Sequence, residues 1–276
     1  MHINCKGTLI DLSAPKVMGI LNVTPDSFFD GGKYKNEDAL LHQAERLLNE
    51  GATFIDLGAY SSKPNAEFVT EDEELQRAVP VVELILKHFP DAIISIDTFR
   101  AKVAAACIES GGAIINDIAA GLLDEAMIPT AGKYKVPYIM MHMRGTPQTM
   151  PTLTQYDDII GEMLKYFSKR IDIARTHGID DIIIDPGFGF AKTLNQNYEV
   201  MNMLELFSTI TGLPLLSGIS RKSMIYKLLG TTPQEALNGT TVLNTLSLIK
   251  GAKILRVHDV KEAMEAIAIY TAVTAK

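Results

Sequence analysis

The chain has 276 residues, 47% of them hydrophobic and 21% charged, which is enough for one large core. Its formal charge of -7 argues against a nucleic-acid partner, because such a partner requires a basic face. No signal peptide and no apolar run of ~18 residues is present, so we expect a cytoplasmic protein. Cys5 and Cys107 lie far apart without metal-ligand spacing, which indicates neither a disulfide framework nor a zinc site.

The chain reads as one domain, residues 1–276, because no linker or low-complexity segment interrupts it. Residues 2–12 alternate weakly around Lys6 and Gly7, which predicts a short hairpin that closes the floor of the main fold.

Short apolar runs then alternate with segments of helical periodicity. Strands are predicted at 17–21, 53–57, 92–96, 113–115, 137–141, 182–184, 213–216 and 252–255. Helices are predicted from near Asn36, which could cap the first one, at 70–89, 101–110 and 156–176, and from Val260 onward. Eight alternating units with right-handed crossovers predict an α/β fold with a parallel sheet closed into a (β/α)₈ TIM barrel.

Polar residues lie at or just beyond the carboxyl ends of these strands. They are Asn22, Asp97, Asn116, His142, Asp185, Lys222, Arg256 and His258. Active sites of such barrels lie on that face, so we expect the site there. Asp185 follows Ile182, Ile183 and Ile184 directly and precedes a Pro and two glycines, which is typical of a buried strand that presents a carboxylate to a cavity.

Two chemistries could occupy this rim. Asp97, Asn116 and Asp185 form an acceptor-rich set that suits a flat heterocycle with adjacent N–H donors, such as a pterin or a guanine. Paired carboxylates are also compatible with a divalent metal or with the acid/base pair of a glycosidase. The cations and hydroxyls of 220–223, together with Arg256 and His258, favour an anionic group, and Asn22 could provide an oxygen ligand for magnesium.

Seven ordered segments resemble the dihydropteroate synthase family of folate biosynthesis. They are ILNVTPDSFFDGG, SIDT, INDI, MHMRGTP, DPGFGFAKT, GISRKS and RVHDV. The resemblance implies a homodimeric transferase, a target of sulfonamides, that joins 6-hydroxymethyl-7,8-dihydropterin diphosphate to 4-aminobenzoate. Pyrophosphate would leave first, with the help of Mg²⁺, and the amine of 4-aminobenzoate would then attack the pterin methylene cation. Apart from a second copy of the chain, the resemblance implies only these small molecules as partners.

The resemblance also implies roles for individual positions. Asp97, Asp185, Lys222 and Arg256 would be the catalytic groups around the pterin, with Asn116 beside the ring and Met140 beneath it. Asn22 would be the metal ligand, and His258 would bind the diphosphate under a loop, 24–32, that contains Asp30. The 4-aminobenzoate side would include Phe190, Ser223, Ser62, Lys63 and Pro64.

Some positions depart from the family pattern. Ser62, Lys63 and Asn65 replace the usual Thr, Arg and Gly, and Arg144 stands where a Gln is common. Two alternative functions share a pterin-binding barrel, a methyltetrahydrofolate-dependent methyltransferase and a non-catalytic pterin-binding module. The first would have no reason to keep Asn22, the 24–32 loop and the pair of Arg256 and His258. The charged set argues against the second.

Overall fold

The computed structural model describes residues 1–23, 33–60 and 69–275, without the side chains of 33–36. Two short strands, β1 (His2–Cys5) and β2 (Thr8–Asp11), precede eight strands of a second sheet. The strands of that sheet are β3 (Lys16–Asn22), β4 (Phe54–Gly58), β5 (Ile94–Asp97), β6 (Ile114–Asp117), β7 (Tyr138–Met141), β8 (Ile182–Asp185), β9 (Leu216–Ser217) and β10 (Ile254–Val257). The eight predicted strands are therefore present, with ends shifted by at most three residues.

The eight strands form a parallel barrel. Their hydrogen-bonded order is β8-β7-β6-β5-β4-β3-β10-β9. The first and last strands of this sheet, β3 and β10, pair with each other, and the chain neighbours β8 and β9 lie at its two edges. A single parallel bridge between Ile184 and Leu215 joins the two edges of the sheet. Closure removes the unpaired edges that an open sheet would expose. The predicted TIM barrel is confirmed.

Helices surround the barrel and complete its strand-helix units. In the described part of the chain they are α1 (Lys33–Asn49), α2 (Glu71–His88), α3 (Ala101–Glu109), α4 (Met127–Tyr134), α5 (Ile159–Thr176), α6 (Leu194–Asn202), α7 (Leu204–Thr211), α8 (Ser223–Leu229), α9 (Leu237–Ile249) and α10 (Val260–Thr274). Thr70 caps α2 in a reciprocal box with Glu73, as its Ser/Thr-x-x-Glu pattern favours. The predicted helix α1 is present, but its expected cap was wrong, because the helix begins at Lys33 and Asn36 lies inside it.

The N-terminal hairpin closes the barrel floor, as predicted. Strands β1 and β2 pair antiparallel, and the turn between them uses positive φ angles at Lys6 and Gly7. Ile3 and Leu12 are buried against Met18 and Phe54. These two residues belong to the layer of inward-facing side chains nearest the amino ends of the barrel strands. The hairpin therefore covers one mouth of the barrel, and the opposite mouth carries the polar residues.

Both faces of the barrel strands are buried. Val17, Ile55 and Ile182 pack in the large outward cluster against the helices, while Met18, Phe54 and Ile183 fill the interior. This explains why the strands lack polar alternation in the sequence. Among the described residues, no helix is long and apolar enough to cross a membrane.

Candidate functional site

Strand register places several polar positions in one row at the carboxyl rim. Asn22 pairs with Gly58, Gly58 with Asp97, and Asp97 with Asn116, so all four positions face the barrel interior at one level. Gly58 has no side chain, and a Cβ there would lie 3.5 Å from Asn22 Oδ1 and 3.6 Å from Asp97 Oδ2. A larger residue at 58 would therefore fill the space between these two side chains.

Arg256 links two carboxylates across the barrel. Its Nε donates to Asp56 Oδ2 at 2.6 Å, and its Nη2 donates to Asp97 Oδ2 at 2.6 Å. Asp56 also accepts from Asn116 Nδ2 at 3.1 Å and has no exposed surface. These contacts make one connected network from Asn116 through Asp56 and Arg256 to Asp97.

Burial and charge act against each other in this network. Burial raises the pKa of Asp97 to about 7, although the guanidinium of Arg256 lowers it, and Asp56 adds to the increase. Burial alone would lower the pKa of Arg256, but Asp56 and Asp97 raise it above its ordinary value. Asp97 is therefore a carboxylate whose charge is costly until further donors reach it.

Asp185 and Lys222 form a second charged pair. Asp185 is buried at the end of β8 and accepts from the backbone N–H of Gly187 at 2.8 Å. Burial raises the pKa of Asp185, while Lys222 lowers it. Burial in turn lowers the pKa of Lys222 to about 8, opposed by Asp185. The buried Asp185 and the half-buried Lys222 thus carry opposite charges, and each favours the charged form of the other.

The turn after β8 provides the partners of Lys222. The ammonium Nζ donates to the carbonyl oxygen of Phe188 and lies 4.5 Å from the centre of the Phe190 ring. Phe190 is partly buried and packs on the cluster that contains Met141 and Met143. The structure therefore brings Asp185, Lys222 and Phe190 together, as the sequence suggested.

The methionine next to the site is Met141, and not Met140 as predicted. Met141 pairs with Asp185 in the sheet, so the two side chains lie on the same face. Met140 pairs with Ile184 and Asp117, is fully buried, and packs with the helix-facing core. In a strand buried on both faces, a shift of one residue moves a side chain to the other face, and apolar residues give no sign of which face is which.

The remaining basic residues divide between the site and the scaffold. His258 follows β10, and its Nδ1 lies 2.9 Å from Ser220 Oγ, which holds the ring beside the turn before α8. Arg221 instead forms an ion pair with Asp259 at 2.7 Å, so Lys222 is the cation that this segment directs to the carboxylates. Ser223 is the first residue of α8 and is partly exposed.

Arg144, for which the sequence indicated no role, joins two segments of the chain. Its guanidinium bonds to Glu162 of α5 and to the carbonyl of Gln155, and it lies 3.7 Å from the centre of the Tyr156 ring. These contacts tie the segment after β7 to the start of α5.

Several predictions remain outside the described residues, namely those for Asp30, Ser62, Lys63 and Pro64. Asp56, in contrast, was missed by sequence reasoning. The available signal was a single carboxylate inside the apolar strand FIDLG, where a buried charge requires a partner.

The amide oxygen of Asn22 is suited to a magnesium ion that a bound substrate also coordinates. In the described ranges, no three His, Cys, Asp or Glu side chains group closely enough to hold a metal. Asn22 presents an exposed amide at the rim. Mg²⁺ keeps several waters and is commonly bound through one or two protein oxygens plus substrate phosphates, which this arrangement fits.

Comparison with known proteins gives consistent relatives. The sequence model of the pterin binding enzyme family matches residues 18–258. The dihydropteroate synthase of Escherichia coli K12 is 43% identical over 274 residues, covering 99% of this chain and 96% of that protein. The crystal structure of Yersinia pestis dihydropteroate synthase with a sulfonamide drug complex superposes with a TM-score of 0.93 at 42% identity, with full coverage of both chains. That of Xanthomonas albilineans with 4-aminobenzoic acid has a TM-score of 0.91 at 36% identity, covering 100% of this chain and 98% of that one.

Proposed function

The chain belongs to the pterin-binding enzyme family and functions as a dihydropteroate synthase in folate biosynthesis, and from this premise we propose which of its residues do the chemistry. We assign the pterin ring to Asp97, Asn116 and Asp185, with Lys222 at the polar edge of the ring. The observation that carries the assignment is the inward-facing set of acceptors at the carboxyl rim, where Arg256 binds Asp97 and the charge of Lys222 acts on Asp185.

The protonation chemistry of the carboxylates supports this assignment. A pterin presents an amino group and ring N–H donors next to one another, and a carboxylate that accepts from them keeps its charge at lower cost. Asp97 and Asp185 are the two inward-facing rim carboxylates whose pKa values are raised mainly by burial. Donors from the ring would lower both pKa values and so favour binding.

The diphosphate is proposed to lie toward Asn22, Arg256 and His258. Cations on that side would attract the phosphate oxygens, and Asn22 would provide an oxygen to a magnesium ion that the phosphates also bind. When bound, magnesium would neutralise charge on the departing pyrophosphate. Asp30 belongs to this side only by resemblance.

The protein's part in the reaction is electrostatic. The bond between the pterin methylene carbon and the diphosphate oxygen breaks, the amine nitrogen of 4-aminobenzoate bonds to that carbon, and a proton leaves the nitrogen. Arg256 and His258 would stabilise the negative charge of pyrophosphate, while Asp97 and Asp185 would favour positive charge on the ring. Because both sets are held in place before the substrate arrives, little reorganisation is needed during the reaction.

The second substrate is proposed to bind against Phe190 and Ser223, together with Ser62, Lys63 and Pro64. The ring of Phe190 beside Lys222 supports this, because it offers an aromatic surface at the edge of the pterin site. The Xanthomonas albilineans relative was crystallised with 4-aminobenzoic acid and the Yersinia pestis relative with a sulfonamide, and we propose that this chain binds both at that position.

The test is pyrophosphate release by the purified protein with both substrates and Mg²⁺. We expect release that depends on all three components, together with formation of 7,8-dihydropteroate. Release without 4-aminobenzoate at the same rate would mean simple hydrolysis. The Asp97→Asn variant should lose at least tenfold in kcat/KM if the site is correctly placed.

We also propose a homodimer through an apolar face formed by α9 and the C-terminal half of α10. Val242, Leu246 and Ile249 project from one side of α9 and are 41% to 60% exposed, and Ile269 and Val273 on the neighbouring α10 are more exposed still. No charged residue occurs in α9. When two copies of a chain meet about a two-fold axis, the same apolar face of each copy packs on the other, and both are removed from water.

The dimer is tested by measuring the molar mass of the protein by light scattering as it elutes from a size-exclusion column. We expect two copies in the wild-type protein and one copy in the Leu246→Lys variant. Leu9→Lys, which places the same charge on the exposed hairpin, is the matched control and should remain dimeric. A monomeric wild-type protein would reject the proposal.

A further inference from the structure

Lys192 is a buried lysine that the proposed reaction does not use. The residue is 8% exposed, its Nζ donates to the carbonyl oxygens of Gly187 at 2.9 Å and Phe190 at 3.1 Å, and the same atom lies 3.1 Å from Nδ1 of His142. An ammonium group has three N–H donors, and the two carbonyls and the His142 tautomer with an unprotonated Nδ1 provide three acceptors for it. No donor remains for a substrate, and Lys192 is therefore not a catalytic residue.

The energetic cost of this lysine indicates that it has a specific role. All three of its acceptors are neutral, since burial lowers the pKa of His142 well below its ordinary value. Burial likewise lowers the pKa of Lys192 to about 7, although Asp185 opposes the change. A methionine of similar length would occupy the same space without that cost, so packing alone does not account for a lysine here.

The segment that Lys192 holds has an irregular backbone. Gly187 and Gly189 adopt positive φ angles of 68° and 82°, and Ala191 adopts 48°. Residues other than glycine rarely adopt positive φ angles. A Cβ atom at Gly187 would also overlap the carbonyl oxygen of His142. Within the turn the carbonyl oxygen of Gly187 accepts one backbone hydrogen bond, from the N–H of Phe190 at 3.1 Å. Lys192 adds a side-chain donor to that carbonyl and to the carbonyl of Phe190, and so joins the two ends of the turn.

The same turn determines the surroundings of Lys222. Phe188, between the two carbonyls that Lys192 binds, gives its own carbonyl to Lys222 Nζ, and Phe190 places its ring 4.5 Å from that atom. A displacement of the turn would move both partners of Lys222 together. A misplacement of about 1 Å in such groups can reduce a rate ~100-fold.

We propose that Lys192 is a positioning residue that fixes the 187–190 turn and, through Phe188 and Phe190, sets the location of Lys222 and one wall of the 4-aminobenzoate site. The inference rests on the site assignment above. It assigns to the Lys of the DPGFGFAK segment a role in organising the site, without contact to either substrate.

The central experiment compares Lys192→Met with the wild-type protein and with Lys169→Met, a matched change on the exposed side of α5. Amide hydrogen exchange of residues 187–190 and kcat/KM for each substrate are measured at a temperature where all three proteins are folded. In Lys192→Met we expect exchange in the turn to be at least tenfold faster and kcat/KM for 4-aminobenzoate to fall at least tenfold. Exchange elsewhere in the barrel and all values for Lys169→Met should match the wild type.

Two outcomes would overturn the inference. One is wild-type exchange and kinetics in folded Lys192→Met, and the other is a loss of overall stability without any change in the turn or in kcat/KM, which would indicate a purely structural lysine. If Lys192→Met does not fold, Lys192→Arg replaces it, since its planar guanidinium retains charge and donors but cannot reproduce three tetrahedral directions. That variant should show a defect of two- to fivefold in both readouts, and wild-type behaviour would overturn the inference.

The same measurements separate this inference from the site assignment. If wild-type protein is active but Asp97→Asn and Asp185→Asn are unaffected, the site assignment fails whatever Lys192 does. If those variants lose activity and Lys192→Met does not, only the role of Lys192 is rejected.

Discussion

The Nε atom of Arg256 lies 2.6 Å from Oδ2 of Asp56, a carboxylate with no exposed surface. This pair is 200 residues apart in sequence and is formed only because β10 and β4 both flank β3 in the barrel. It directs the other end of the guanidinium to Asp97, the position at the pterin side of the proposed site. A residue that sequence analysis did not select therefore orients one that it did.

Asp56→Asn should misplace Arg256. The amide cannot balance the buried guanidinium, so we expect the free energy of unfolding to fall by about 2–3 kcal/mol and kcat/KM to fall at least tenfold. Urea unfolding and steady-state kinetics measure the two effects. Glu205→Gln, which removes one partner of the exposed pair with Lys250, is the control and should cost less than about 1 kcal/mol. Full activity in Asp56→Asn would show that Arg256 does not need this carboxylate.

Asp185→Asn should weaken the pterin site. An amide both donates and accepts, so one ring donor would face another donor, with a loss of about 1.5–3 kcal/mol in transition-state stabilisation. Pterin affinity by calorimetry and kcat/KM for the pterin diphosphate give the effect. Asp180→Asn, whose side chain is 97% exposed, should behave as the wild type. Unchanged catalytic efficiency in Asp185→Asn would remove this residue from the site.

Asn22→Ala should change the response to magnesium. If the amide oxygen is a metal ligand, the Mg²⁺ concentration for half-maximal rate should rise several-fold, because the loss of one oxygen weakens the metal site. The rate is titrated with Mg²⁺ at saturating substrates, and Asn202→Ala on the exposed surface of α6 serves as the control. An unmoved titration together with lost pterin affinity would place Asn22 in the ring site instead.

Asp97 should make stability depend on pH. Its pKa in the folded protein is raised to about 7 from 3.8, so between these values the folded state holds a proton that the unfolded state does not. The free energy of unfolding should therefore fall as pH rises from about 4 to 7, by up to ~1.4 kcal/mol per pH unit from this group.

The matching measurement is urea unfolding at several pH values between 4 and 8. The difference between wild type and Asp97→Asn isolates this carboxyl from Asp185 and other buried acids that act in the same direction. Asp91→Asn, on an exposed turn, should leave the pH profile unchanged. Parallel profiles for wild type and Asp97→Asn would contradict the prediction.

Local sequence determined the architecture because the strand-helix alternation and the strand ends are short-range patterns. The apolar runs before Asp97 and Asp185 gave the positions of two rim carboxylates, and the Lys6-Gly7 turn gave the hairpin. The helices α4, α6, α7 and α9 were not individually predicted, and the start of α1 was placed three residues late at Asn36. The first three of these helices have only eight or nine residues, and helices this short are stabilised mainly by packing on the barrel.

Only the tertiary structure decided which residues meet. Met140 and Met141 are adjacent, apolar and buried, and the register with Ile184 and Asp185 is what assigns them to opposite faces. The pairing of Asp56 with Arg256 and the three acceptors around Lys192 likewise join residues from separate strands and turns. A sequence specifies the faces of a strand through alternation, and a strand buried on both sides has none, so closure of the barrel had to supply that information.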